Sequence, residues 1–274
     1  MRSPEGLLRR ILTAAVLLAV FTGALLLLDR GLFALLVAGV LVLAGQEWGR
    51  LAGMGARAAL LYGFAVGVLG SAVAWVPDPG TLSRDALLGA GAVFWLLLVP
   101  AWLRRGLGQS RRAALALAGC VALALAGFAA LLLPPNLLLV VLGLAWTADT
   151  AAYFAGKAFG RRRLAPSISP GKTWEGVAGA IGACLIYAII CALPGAPLGQ
   201  YVRGATWATY LAGAALLCGV SIVGDLFESA LKRRAGAKDS GALLPGHGGV
   251  LDRIDSVMPT LPIAAMLLNL ITRT

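Results

Sequence analysis

The chain has 274 residues, of which 59% are hydrophobic and 13% charged, and its formal net charge is +11. Soluble domains carry about 25% charged residues, so this composition excludes an ordinary soluble globular protein. The basic residues are spread between apolar segments rather than gathered on one polar face. Their distribution argues against nucleic-acid binding and favours anionic lipid headgroups and membrane topology as the cause of the positive charge.

Long apolar segments recur from one end of the chain to the other. In lipid every backbone polar group must be satisfied within the protein, so only helices or closed barrels cross a membrane. The segments do not alternate between polar and apolar residues, which excludes barrel strands. We therefore predict an all-α, polytopic integral membrane protein, one domain over residues 1–274 with about nine transmembrane helices. The predicted spans are residues 11–28, 31–46, 58–76, 86–103, 113–133, 137–156, 175–194, 208–230 and 257–271.

The first apolar segment follows the basic sequence MRSPEGLLRR. It is long for a secretory signal, and a second apolar segment begins directly after it, so we expect an uncleaved first transmembrane helix. Residues 1–136 are rich in Leu, Ala and Gly and are predicted to be mainly scaffold. Seven of the 12 acidic residues lie between Asp149 and Asp255, so residues 137–274 are predicted to form the catalytic half.

The basic residues divide unevenly between the two sides of the predicted bundle. If the N-terminus and the loops after the second, fourth, sixth and eighth spans share one side, that side holds 19 of the 23 Lys and Arg and the other side 4. Cytoplasmic loops carry the excess of Lys and Arg in membrane proteins. We therefore expect a multi-pass protein of the inner (cell) membrane whose polar C-terminal loops face the cytoplasm.

Smaller patterns concern helix packing and the membrane interface. Gly63 and Gly67 have the spacing that lets two helices approach closely. The four cysteines all fall in apolar spans without metal-ligand spacing, so they are predicted to pack as small apolar side chains. Five tryptophans near span ends are predicted to be interfacial anchors; they are Trp48, Trp75, Trp102, Trp174 and Trp207.

A polar segment between the last two spans carries the strongest chemical signal. We call residues Ser229–Asp255, SALKRRAGAKDSGALLPGHGGVLDRID, the signature segment. Its Lys and Arg side chains suit phosphate groups, and its glycines let a phosphate approach the bare backbone. Its carboxylates suit Mg²⁺, which takes one or two carboxylates together with waters and substrate phosphates. The segment therefore predicts a site for a polyphosphate and its divalent cation.

Helical spacing brings several of these groups together. Asp225, Ser229 and Lys232 share one face of the eighth span, and Asp252 lies at the start of the ninth. A charge at bilayer depth costs roughly 2.5–3.5 kcal/mol, so Asp225 is predicted to face a cavity, a partner or an ion. Two plainer interpretations stay open: Asp252 as a helix N-terminal acid, and Glu228 as the interfacial partner of Lys232.

The signature segment resembles the motif of the phosphatidate cytidylyltransferases (CDP-diacylglycerol synthases), S-x-apolar-K-R, four residues, K-D, a short apolar run, then P-x-H-G-G-apolar-x-D-R-apolar-D. Two more elements resemble the same family. DTAAYFAG at Asp149–Gly156 matches D-x-x-A-Y-F-x-G, and SPGKTWEG at Ser169–Gly176 matches S-P-x-K-T-x-E-G. Gly171 stands where many relatives carry Lys. The resemblance is strong from Asp149 to the C-terminus and general before it.

The resemblance implies an enzyme, a nucleotidyltransferase that converts CTP and phosphatidate to CDP-diacylglycerol and pyrophosphate for phospholipid synthesis. It implies Mg²⁺ held by Asp225 and Asp252, with room for a second cation, and a homodimer is plausible for such folds. The implied catalytic residues are Lys232, Lys238, Asp239, His247 and Asp255. The implied substrate-binding residues are Asp149, Ser169, Lys172, Thr173, Glu175, Ser229, Arg233, Gly248, Gly249 and Arg253.

Three alternatives were weighed against this function. An ion-coupled transporter would explain acids within spans but not the polar signature segment. A CDP-alcohol phosphotransferase would need an Asp-Gly pair, which the chain lacks. A P-loop around Gly171-Lys172 would need a glycine where Pro166 stands and a strand before it, and no strand is predicted there.

Overall fold

The computed structural model describes residues 19–75, 80–243 and 248–273, and most of them are helical. Residues 19–27 are the described part of helix α1. The helices that follow are α2 (Arg30–Leu51), α3 (Ala56–Ser71), α4 (Thr81–Val93), α5 (Val99–Arg105), α6 (Arg112–Leu132), α7 (Pro135–Phe159), α8 (Trp174–Cys191), α9 (Thr206–Arg234), α10 (Leu251–Ile254) and α11 (Val257–Arg273). A 3₁₀ turn, Ala72–Trp75, extends α3, and a π-helical turn, Phe94–Leu98, joins α4 to α5.

Seven helical stretches within the described residues are long and apolar enough to cross a membrane. They are Arg30–Leu51, Ala56–Trp75, Ser83–Arg105, Arg112–Leu132, Pro135–Phe159, Trp174–Cys191 and Thr206–Arg234. They correspond to the second to eighth predicted spans and confirm an all-α, polytopic membrane protein. The ninth corresponds to α11, which has 17 residues and contains Pro262. Most of the first predicted span, 11–28, lies outside the described residues.

A two-stranded hairpin between α7 and α8 was not predicted. Strands β1 (Arg163–Ala165) and β2 (Ser169–Thr173) pair antiparallel. The prediction that no strand precedes Ser169 is therefore wrong, because β1 is three residues long and too short to show a period in the sequence. Strand β2 runs directly into α8, and the Thr173 side chain caps that helix by accepting from Gly176 N at 3.1 Å.

An aromatic cluster around Phe227 joins the N-terminal helices to α9. The buried Phe227 ring contacts the rings of four residues at centroid distances of 5.7 to 6.4 Å, Trp48, Phe94, Trp95 and Trp102. Trp48 has no exposed surface, and its indole N–H donates to Leu115 O at 2.8 Å. The prediction of an interfacial anchor is wrong for Trp48, because proximity to a span end does not reveal which way the ring points.

The packing predictions for glycines and cysteines are confirmed. Gly63 lies directly against α2, where an added Cβ would come within 2.9 Å of Gln46 N, and Gly67 lies one turn further along the same contact. All four cysteines are free. Three of them, Cys184, Cys191 and Cys218, are buried.

Candidate active site

Lysine and carboxylate side chains from β2, α9 and the residues after α9 form two neighbouring networks. In the first, Lys172 Nζ lies 2.7 Å from Asp225 Oδ2. Ser229, one turn after Asp225 on α9, donates its hydroxyl to Asp225 Oδ1 at 3.2 Å. The expected shared face of α9 is confirmed for this pair. Lys172 reaches α9 because β2 places it beside the helix, and its ammonium also donates to Ile222 O at 3.4 Å.

A polar cavity of ≈ 450 Å³ opens beside this first network. Its lining includes Asp149 from α7, Lys172 from β2 and Asp225 from α9. Tyr153 and Arg163 lie on the same wall, which the hairpin and α7 build together. The cavity therefore offers both cationic and carboxylate side chains to a polar ligand.

Asp149 and Asp225, which line this cavity, lie within electrostatic range of a third carboxylate, Asp255. The Ser256 hydroxyl donates to Asp149 Oδ2 at 2.8 Å, and the Ser256 N–H donates to Asp255 Oδ1 at 2.8 Å. Burial raises the pKa of the Asp255 carboxyl, and the carboxylates of Asp225 and Asp149 raise it further. Lys172 and Arg253 both lie within electrostatic range of Asp149, so the cluster combines three acids with two cationic side chains.

The second network is centred on Lys232. Its ammonium forms ion pairs with Glu228, one turn earlier on α9, and with Asp252 Oδ1, the latter at 2.6 Å. The Glu228 side chain has no exposed surface, and those of Lys232 and Asp252 are 12% and 8% exposed. The predicted pairing of Glu228 with Lys232 is confirmed, although Glu228 is enclosed rather than interfacial. Asp252 lies in the first turn of α10, as its plainer interpretation predicts, and also binds Lys232.

Asp252 also organises the residues between α9 and α10, which we call the signature loop (residues 235–250). Its Oδ2 accepts from Ser240 N at 2.9 Å, from Ser240 Oγ at 2.9 Å and from Gly249 N at 2.8 Å. Burial raises the pKa of the Asp252 carboxyl, but the hydrogen bonds from Lys232 and the two loop N–H groups outweigh it and bring the pKa to about 2. Asp252 is therefore an ionised carboxylate.

The glycine at the turn is required by this arrangement. Gly248 has φ +79°, in the left-handed region that favours glycine, and an added Cβ would lie 2.5 Å from Asp252 Oδ2. Gly249, beside it, supplies one of the N–H donors to the same carboxylate. Both glycines thus shape the loop around Asp252, in addition to the substrate contact that the sequence predicts for them.

Glu47 is a site residue that the sequence analysis missed. It lies on α2 in the predicted scaffold half, is buried, and accepts hydrogen bonds from the signature loop and the start of α10. The donors are Ser240 Oγ at 2.9 Å, Val250 N at 3.0 Å and Leu251 N at 2.8 Å. Glu47 directly follows the predicted span 31–46, and it falls within a spanning helix only because α2 continues to Leu51.

The residues predicted around the hairpin hold its structure in place. Thr173 is buried as the α8 cap. Glu175, in the first turn of α8, accepts from Arg161 N at 3.0 Å and from Arg162 N at 3.2 Å. Ser169 begins β2. These residues therefore fix the position of Lys172, and their predicted contacts with substrate stay predictions.

The remaining predicted residues lie further out. Arg233 is exposed and donates to Ile168 O and Ala237 O, both at 3.3 Å. Lys238 and Asp239 are exposed on the signature loop. The predicted catalytic residue His247 lies outside the described residues.

Arg253 connects the polar site to an apolar cavity of ≈ 170 Å³. The guanidinium is within electrostatic range of Asp149, and the side chain also lines this second cavity. Phe33, Trp146 and Met258 are among the apolar side chains that complete its wall. Arg253 therefore links the wall of the apolar cavity electrostatically to Asp149 in the polar cavity.

The donor set suits Mg²⁺ without forming a complete protein cage. Within the described residues, no three acidic, histidine or cysteine side chains converge to hold a metal ion by themselves. Mg²⁺ needs only one or two ionised carboxylates when substrate phosphates and waters complete its shell. Asp225 and Asp252 pair with different lysines, Lys172 and Lys232, in the two networks.

The chain is similar to known proteins over nearly its whole length. The model of the cytidylyltransferase family matches residues 8–271. A phosphatidate cytidylyltransferase of Pseudomonas aeruginosa is 41% identical over 271 residues, covering 95% of this chain and 96% of that protein. One from Haemophilus influenzae is 36% identical over 280 residues, covering 93% and 96%. One from Thermotoga maritima is 42% identical over 133 residues, covering 48% and 49%.

Proposed function

Because this chain belongs to the cytidylyltransferase family, we propose that it transfers the cytidylyl group of CTP to phosphatidate, giving CDP-diacylglycerol and pyrophosphate. One observation carries the proposal: Arg253, which lines an apolar cavity, lies within electrostatic range of Asp149, which lines a polar cavity together with Lys172 and Asp225. The reaction joins a water-soluble nucleotide to a lipid and needs both environments side by side. The family gives no support to the transporter alternative.

The proposed reaction requires no proton transfer by a protein side chain. A phosphate oxygen of phosphatidate, already anionic at neutral pH, attacks the α-phosphorus of CTP, and the bond from that phosphorus to pyrophosphate breaks. No general base is needed. The requirements are in-line alignment and neutralisation of charge between two polyanions.

CTP is proposed to occupy the polar cavity. Lys172 and Arg163 line it and supply cationic donors for phosphate oxygens. Lys238 is exposed on the signature loop and is free of the buried Lys232 network. We therefore assign the predicted phosphate contact to Lys238, and to Lys232 the task of holding Asp252 in place.

Phosphatidate is proposed to approach from the apolar cavity. The wall of Phe33, Trp146 and Met258 suits an acyl chain, and Arg253 beside it suits the phosphate of the same lipid. Arg253 also lies within range of Asp149 in the polar cavity. One lipid therefore places its tail in the apolar space while its phosphate faces CTP.

Asp225 and Asp252 would hold Mg²⁺, which when bound neutralises developing charge on the phosphates. Asp149 and Asp255 lie within electrostatic range of Asp225 and would be the ligands of a second cation. Asp225 faces the polar cavity, whereas Asp252 fixes the signature loop through Ser240 and Gly249. Because Asp252 is both a proposed Mg²⁺ ligand and the acceptor for the loop N–H groups, Mg²⁺ binding is proposed to depend on the position of the signature loop.

The decisive experiment for the function is incorporation of labelled CTP into organic-extractable lipid by the purified protein with phosphatidate. We expect incorporation to depend on Mg²⁺ and on phosphatidate, with equimolar release of pyrophosphate. Absence of labelled lipid from folded protein, together with cation-driven uptake in sealed vesicles, would favour the transporter instead.

Replacing Lys238 by Ala is expected to raise the KM for CTP or lower kcat, because the residue is assigned to the triphosphate. Arg111→Ala is the matched control, since Arg111 is also an exposed basic loop residue but lies directly before α6 and is not part of the signature loop. An ion pair made by an exposed charge of that kind contributes about 0–1 kcal/mol to stability. Arg111→Ala should therefore leave KM and kcat nearly unchanged. If Lys238 contacts CTP equally in the ground state and the transition state, its loss raises KM and leaves kcat unchanged. If it contacts only the departing pyrophosphate, its loss lowers kcat. If both substitutions have equally small effects, Lys238 does not bind CTP and contributes only to the orientation of the protein in the membrane.

We propose that the enzyme forms a homodimer. We also propose that the site faces the cytoplasm of the inner membrane, where CTP is available. The 19-to-4 division of basic residues supports the orientation. Cysteines at Gly108 and Gly171, introduced in a background without the four native cysteines, are expected to resist an impermeant maleimide in intact cells. Both glycines are exposed, with no atom within 4 Å of an added Cβ. A cysteine at Ala205, on the opposite side, should react, and the reverse pattern would contradict the orientation.

A further inference from the structure

Glu47 holds the signature loop from a helix that lies about 200 residues away in the sequence. Its donors are separated from it by 193 residues for Ser240, 203 for Val250 and 204 for Leu251. These donors stand on both sides of residues 244–247 and extend into the first residue of α10. One buried carboxylate therefore binds the loop before and after its middle part.

The backbone packs tightly around this carboxylate. An added Cβ on Gly241 would come 2.5 Å from Glu47 Oε1, and Gly249 leaves even less room beside Glu47 Oε2. The two glycines allow the loop to approach the carboxylate on both sides. This close approach indicates that the loop backbone is shaped to bind the Glu47 carboxylate.

Ser240 links Glu47 to the proposed metal ligand. Its hydroxyl lies 2.9 Å from Glu47 Oε2 and 2.9 Å from Asp252 Oδ2. A hydroxyl has one proton to donate, so it satisfies one of the two carboxylates at a time. Through Ser240, the position of Glu47 is tied to that of Asp252, and through Asp252 to Lys232.

We infer that Glu47 is a positioning residue of the active site, which orders the signature loop so that Asp252 and the CTP-binding part of the loop are in place before substrate arrives. The catalytic consequence rests on the proposed function, whereas the ordering of the loop does not. Glu47 lines neither of the two cavities described above, so it acts through the loop and not on the substrate.

Two substitutions test the inference in the full-length protein. In Glu47→Gln, an amide N–H₂ replaces one carboxylate oxygen, so one of the N–H groups of Val250 and Leu251 faces a donor instead of an acceptor. In Glu47→Ala all three acceptor contacts disappear. Asp29→Ala is the matched control, because Asp29 caps the opposite end of the same helix by accepting from Leu32 N.

The first readout is hydrogen–deuterium exchange without any substrate. We expect faster exchange in peptides covering residues 240–251 for Glu47→Gln, faster still for Glu47→Ala, and unchanged exchange there for Asp29→Ala. This readout decides the ordering of the loop even if the protein fails to convert CTP, so failure of the inference and failure of the proposed function are distinguishable.

The second readout separates positioning from general loss of folded protein. Replacing residues that orient ligands indirectly typically lowers activity about 10- to 100-fold, so we expect kcat/KM for CTP to fall about tenfold in Glu47→Gln and about a hundredfold in Glu47→Ala. The KM for CTP should rise while the KM for phosphatidate stays unchanged. A fall in kcat with both KM values unchanged and wild-type exchange at 240–251 would overturn the inference, as would wild-type behaviour of both Glu47 variants.

Discussion

Asp225→Asn is expected to lower turnover about a hundredfold or more, equivalent to roughly 3 kcal/mol of transition-state stabilisation, while the protein still inserts and folds. Asn keeps the shape of Asp and an oxygen for the Ser229 hydroxyl, so the local structure of α9 is preserved. What disappears is the negative charge that pairs with Lys172 and faces the polar cavity. A cation bound there loses a charged ligand, and the phosphates lose the neutralisation it would bring.

The measurement is kcat at saturating CTP over a titration of Mg²⁺. Asp29→Asn is the control, since Asn also caps helices well and Asp29 lies at the start of α2. Turnover like that of the wild type at saturating Mg²⁺ would remove Asp225 from the metal site. Asp252→Asn is expected to lose turnover as well, but with a less ordered loop, because Asp252 also accepts from Ser240 and Gly249.

Lys232→Met is expected to destabilise the protein strongly and to abolish turnover. Removing the ammonium leaves the buried Glu228 without its ion-pair partner, and breaking a buried pair in this way costs about 3–5 kcal/mol. Asp252 loses one donor but keeps those of Ser240 and Gly249. The expected result is a large fall in the thermal unfolding temperature in detergent.

The double variant Glu228→Gln/Lys232→Met separates stability from catalysis. Neutralising Glu228 removes the uncompensated buried charge, so most of the lost thermal stability should return. Turnover should stay low, because Asp252 still lacks the lysine that fixes its Oδ1. If turnover returns together with stability, Lys232 serves only to neutralise Glu228.

The sequence is informative wherever the signal is local. Apolar lengths predicted the seven spanning helices, because a helix in lipid must satisfy its own backbone within each segment. The spacing of Asp225 and Ser229 predicted their contact, because it lies within one helix. The family motifs identified both lysines that pair with the proposed metal ligands.

The contacts that the sequence did not reveal join distant parts of the chain. Lys172 reaches Asp225 only because an unpredicted hairpin turns back toward α9. Glu47 reaches the signature loop only because the aromatic rings around Phe227 pack α2 and α9 in one core. The residue pattern within one segment does not predict these contacts between distant residues, because they depend on how the helices pack.

The enclosed ring of Phe227 also limits how this enzyme is able to move. Phe227 lies two residues after Asp225, about 200° further around α9, so it projects almost opposite to that carboxylate. Any rotation of α9 that carried Asp225 away from the polar cavity would pull Phe227 out of contact with four aromatic rings. The loss of these contacts therefore disfavours rotation of α9 about its axis. Substrate entry and product exit are then expected to involve a part outside that aromatic core, the β1–β2 hairpin.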